Sequence, residues 1–139
     1  MTTTRTDPDA LPWSPAIELF GAAALYEGSP ILEVKRLSDR RAAGGGVAYL
    51  LRANPPAGKL IKIVAVARSD EHVFNLSGGR SNKAGEPAAS RGYALNPEGQ
   101  THSAMIASES VSLVIYRGEP DEVMSVEVVD LEGLPSAKS

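Results

Sequence analysis

The sequence has no cysteine in its 139 residues, which excludes disulfides and thiolate metal sites. It has only two histidines, His72 and His102, so no set of three imidazoles can form within one chain. No apolar run approaches the roughly 20 residues needed to span a bilayer. The opening MTTTRTDPDALP lacks the apolar stretch of a secretory signal. Positive charge is not in excess either. The net charge is −3, which argues against nucleic acid or an anionic membrane as partner. These absences lead to the expectation of a cytoplasmic protein. Chemistry-bearing motifs are equally sparse. Gly44-Gly45-Gly46 is not followed by Gly-Lys-Ser/Thr, and there is neither a G-x-S-x-G elbow nor an H-E-x-x-H helix.

What is there reads as one folded domain. Apolar residues make up 42% and charged residues 22%, proportions that suit a single soluble core at this length. Residues 1–12 are polar and proline-broken and read as a flexible arm, residues 13–131 as the domain, and residues 132–139 as a flexible tail. Trp13 to Phe20 (WSPAIELF) carries the only tryptophan and one of two phenylalanines. Side chains of that size need cover, so this stretch is expected to dock on the domain or on a second subunit, which makes a homodimer the expected assembly.

Short apolar or alternating segments follow: ILEVKRL at 31–37, VAYLLR at 47–52, LIKIVAVA at 60–67, HVFNLS at 72–77, GYALN at 92–96, THSAMIA at 101–107, VSLVIYR at 111–117 and VMSVEVVDL at 123–131. Turn residues separate most of them, and no 3.6-residue periodicity competes. The pattern predicts many short strands in a sandwich or barrel.

Two spacings organise the middle of the chain. The first is Gly58-x5-Val64-x-Val66-x4-Glu71-x6-Gly78, and the second is Pro97-x-Gly99-x2-His102. Together they resemble the paired motifs of the cupin superfamily, with valines at the first two histidine positions and Ile106 in place of an asparagine. The resemblance implies an all-β, cupin-like jelly-roll β-barrel of two packed antiparallel sheets. It also implies that the motif histidines and glutamate point into the barrel. By strand parity Lys62, Val64 and Val66 would then face inward, as would Glu71, Val73 and Asn75 on the next strand, with His72 facing away. Beyond the turn, His102 and Ile106 would also face in.

The expected ligand-binding residues are therefore Lys62, Val64, Val66, Asn75 and Ile106, with Glu71 and His102 as candidate catalytic residues. Metal-binding cupins hold an ion with three histidines and the glutamate. Only Glu71 and His102 carry over, so no tightly bound metal is expected and a divalent transition metal would bind weakly. The implied function is binding of a small organic molecule in a mostly apolar pocket at a degenerate metal site. The alternative is an enzyme using Glu71 and His102, with metal-free isomerase- or cyclase-like acid–base chemistry or a dioxygenase-like site. Local readings remain open beside these. Lys62 can reach solvent from the strand end, Glu71 can be an exposed strand-start residue, and His102 can be a structural histidine after a turn. Asp121 and Glu122 read as solvated loop charges, and Tyr93 and Tyr116 as wall or core residues.

Overall fold

Alternating side chains make a strand two-faced, and here that alternation curls the chain around one apolar interior. The computed structural model describes residues 2–81 and 92–131, with the side chains of 79–81 excepted. The expected tail at 132–139 lies outside the described residues. The strands in chain order are β1 (Ser14–Pro15), β2 (Leu25–Tyr26), β3 (Ser29–Pro30), β4 (Leu32–Asp39), β5 (Val47–Ala53), β6 (Lys59–Val66), β7 (Glu71–Ser81), β8 (Tyr93–Asn96), β9 (Thr101–Tyr116) and β10 (Glu122–Asp130). One four-residue helix, α1 (Ile17–Phe20), lies between β1 and β2. No helix among the described residues is long and apolar enough to cross a membrane.

All strand pairs are antiparallel, and eight strands join in one curled sheet. The turning element is β9. Its first part pairs with β6 through Ile61↔Ile106 to Val66↔Thr101. Its second part pairs with β5 on one side and β7 on the other. The sequence pattern divides this strand at Ser108–Ser110, but polar residues there do not turn the chain. They bend it from one half of the barrel into the other, and Ser110 and Ser112 are buried at the bend. The two packed sheets of a jelly roll are thus two halves of one continuous sheet.

The interior is built from the inward positions of these strands: Leu32, Val34, Val47, Tyr49, Ile61, Val73, Ile106 and Val114 form its centre. Tyr49 is fully buried, packs edge-on against Tyr116 at 6.3 Å, and donates its hydroxyl hydrogen bond to Glu18 Oε2 at 2.9 Å. Burial and then that carboxylate push its pKa up to about 12. Glu18 lies on α1, so this bond pins the helix over the barrel.

Trp13 and Phe20 are covered by their own chain. Two cations lie over the Trp13 ring, Lys35 Nζ at 4.8 Å and Arg52 Cζ at 4.5 Å from its centroid. The polar residues before it also touch the domain, since Pro8 accepts a hydrogen bond from Lys35 Nζ at 2.7 Å. The large apolar side chains left in solvent include Phe74, Leu76, Tyr93 and Leu95, on the outer face of β7 and β8.

Candidate functional site

The site is assembled where three connections meet. The first joins β6 to β7 and ends at Glu71. The second is the Pro97–Gly99 turn, which ties back through Gly99 N–H to Ala67 O at 2.7 Å and delivers His102 at the start of β9. The third, residues 117–121, joins β9 to β10. It is clamped by the first: Arg68 Nε donates to Pro120 O at 2.7 Å, Ser69 Oγ donates to Glu119 O at 2.8 Å, and Gly118 N–H donates to Ser69 Oγ at 2.9 Å. This clamp turns Asp121 inward.

Glu71, His102 and Asp121 therefore converge. His102 Nε2 lies 2.7 Å from Asp121 Oδ2 and 3.4 Å from Glu71 Oε1. Glu71 Oε1 also accepts a hydrogen bond from Asn96 Nδ2 at 2.8 Å, and its carboxylate is met by the Tyr116 hydroxyl. Burial first, and the Asp121 charge second, push the Glu71 carboxyl up from its ordinary value, and the Asn96 bond only partly opposes this. Burial and the same two carboxylates hold the Tyr116 phenol well above its ordinary value.

Beside the cluster lies a cavity of about 130 Å³. Its apolar wall includes Ile63, Ala65, Val73, Ala104, Ile106 and Val114, and Leu19 and Phe20 from α1 close it from outside the barrel. The polar cluster forms one end.

Glu71 and His102 line the cavity, as does Ile106. Asn75 is buried on the expected side, but its amide is engaged by the bulge of β7. In the orientation that satisfies both ends of the amide, its nitrogen donates to Ser77 O at 3.1 Å and Val111 O at 3.2 Å. Asn75 is thus a backbone brace and is not among the cavity-lining residues. His72 faces outward and shares a hydrogen bond of 2.7 Å with Tyr93 Oη.

Lys62, Val64 and Val66 require correction. The inward residues of β6 are Ile61, Ile63 and Ala65, all buried, whereas Lys62, Val64 and Val66 are half-exposed on the opposite face. The motif spacing counts from Gly58, but here Lys59 N–H closes a tight turn onto Pro56 O at 3.0 Å and the strand starts at once. The inward positions fall one residue earlier than the motif puts them, and a one-residue slip reverses every side chain. Lys62 carries the signal. A lysine on one face of an otherwise apolar strand marks that face as the wet one.

Asp121 also requires correction. It is buried and lines the cavity, while Glu122 is exposed. No local pattern announces this, because the clamp depends on residues about fifty positions away. The consequence is a corrected donor count. The described residues bring together three groups that could hold a metal ion, Glu71, His102 and Asp121, with ligand atoms within 4.8 Å of one another. The three-histidine, one-glutamate set of the resemblance does not fit, since Ile63 and Ala65 occupy the inward positions of β6.

No family model matches the sequence, and no curated protein is similar to it at the sequence level. Solved structures are similar in fold. An RmlC-like cupin protein from Ralstonia eutropha superposes with a TM-score of 0.57 at 17% identity, over 92% of this chain and 80% of that one. A protein of unknown function with a cupin-like fold from Ralstonia eutropha gives 0.61 at 14% identity, over 94% and 79%. The polyketide cyclase RemF from Streptomyces resistomycificus gives 0.60 at 14% identity, over 91% and 88%.

Proposed function

We propose that this chain, which has the cupin fold, binds one small and mostly apolar organic molecule whose polar group meets Glu71, His102 and Asp121. The observation that carries the reading is an apolar cavity with convergent polar groups at one end, the usual composition of a small-molecule site. Its volume of about 130 Å³ limits the ligand. A dry cavity of roughly 150 Å³ admits benzene, so the expected molecule is the size of one ring. Burying six ring carbons is worth about 5 kcal/mol at about 0.8 kcal/mol each. That alone gives a Kd of a few tenths of a millimolar, and one charge-assisted hydrogen bond brings it into the micromolar range.

Phenol is a suitable probe, a ring with one polar group whose O–H can donate to a carboxylate. Saturable binding by calorimetry is expected for the wild type, and Ala104→Trp, which fills the cavity, should abolish it. Unchanged binding by Ala104→Trp would place the ligand elsewhere and refute the reading.

A second reading, chemistry on the bound molecule, is favoured by one observation. Glu71 is a buried carboxyl with a raised pKa on the cavity wall, as suits a general acid or base. The discriminating measurement is recovery of the bound molecule after incubation. Unchanged recovery supports binding alone, and conversion supports catalysis.

A further inference from the structure

We propose that Glu71, His102 and Asp121 hold a divalent first-row metal ion, with Asp121 supplying from the β9–β10 connection a ligand that the barrel strands lack. The inference rests on the cavity reading for what the ion would meet, namely the polar group of the bound molecule.

Donor chemistry comes first. One imidazole nitrogen and two carboxylate oxygens suit Zn²⁺, Fe²⁺ or Mn²⁺. Spacing agrees with it. Donors bound at about 2.1 Å on one ion sit roughly 3.0 Å apart in an octahedron and roughly 3.4 Å apart in a tetrahedron. The imidazole nitrogen stands 2.7 Å and 3.4 Å from the two carboxylates, which brackets those edges.

Charge makes the same demand. Two carboxylates, Glu71 and Asp121, are buried beside one imidazole against an apolar wall, a set of acceptors that a dication would satisfy. No lysine or arginine is among the described residues that line the cavity.

The independent observation is Asp121 itself. Its side chain is 6% exposed, and its Oδ1 is buried with no hydrogen-bond partner. An acceptor left that way is costly, and an ion would satisfy it. The neighbours already orient the other carboxylate, as outer partners of metal ligands do: Asn96 and Tyr116 both reach Glu71. Three protein ligands leave coordination positions open, as catalytic and substrate-binding ions require.

The test is titration of EDTA-treated protein with ZnCl₂, MnCl₂ and CoCl₂ by calorimetry, with the visible absorption of Co²⁺ as a second readout. One ion per chain is expected, with a Kd of about 10 μM or below. Asp121→Asn should weaken binding by at least about 30-fold without lowering the melting temperature of the metal-free protein. Glu71→Gln serves as the same comparison should Asp121→Asn not fold. Absence of saturable binding up to about 1 mM, or wild-type affinity in the folded variant, would overturn the inference. Phenol binding to metal-free protein separates the two readings. A chain that takes phenol but no metal keeps the cavity reading and loses this one, and a chain that takes metal but no phenol does the reverse.

Discussion

Gly78→Ala is expected to lower the melting temperature by on the order of 10 °C, because two penalties coincide at this residue. Gly78 has φ +85°, a conformation that costs an L-residue about 1–2 kcal/mol. A Cβ there would also overlap the carbonyl oxygen of Glu109 and come within 2.7 Å of Ser110 Cα. Those atoms are backbone of β9 and cannot swing aside, so overpacking adds about 1–3 kcal/mol. The register of β7 on β9 shifts on either side of Gly78, between Asn75 and Ser77 and between Gly78 and Arg80. The close approach belongs to that bulge, and the bulge is where Asn75 is tied down. Gly99→Ala is the control. Gly99 has φ +87°, but a Cβ added there would meet nothing within 4 Å, so only the conformational penalty applies. Thermal melts of the two variants should differ by several degrees, and a Gly78→Ala protein as stable as Gly99→Ala would show that the approach to Glu109 relaxes freely.

Ile63→His combined with Ala65→His should raise metal affinity by about two orders of magnitude over the wild type, since two imidazoles join the existing carboxylates and His102. Ala65 is the cross-strand partner of His102, and Ile63 that of Ala104, so both new side chains would share the inward face. The matched control is Val64→His with Val66→His, on the outer face, where no gain at the site is expected. Calorimetry with Zn²⁺ reports both pairs. A gain in the outer pair and none in the inner pair would reverse the assignment of faces.

The fold was legible because it rests on local signals. Alternating apolar residues, the Pro97–Gly99 turn and the spacing to His102 each constrain a few neighbouring residues, and strands form where those constraints agree. The inward side of Glu71 and His102 was implied by the resemblance, and Ile106 followed from parity within β9. The side of β6 did not, because LIKIVAVA offers a largely apolar set on either parity and the spacing from Gly58 pointed to the other one. Lys62 could have broken the tie. Asp121 was beyond local reading altogether, since its burial is created by Arg68 and Ser69 gripping the backbone at 118–120. The role of WSPAIELF was half legible. Its rings demanded cover, but only the packed structure shows Trp13 against Lys35 and Arg52 and Phe20 on the cavity wall.

Methyl-resolved NMR during a phenol titration reports which face of the sheet binds the small molecule. Shifts are expected on the methyl groups of Ile63, Val73, Ile106 and Val114, which line the cavity, with Leu19 of α1 following. Val64, Val66, Leu76 and Leu95 should stay still, because they lie on the outer face or in solvent. Shifts confined to that second group would place the ligand on the outer face and refute binding in the cavity.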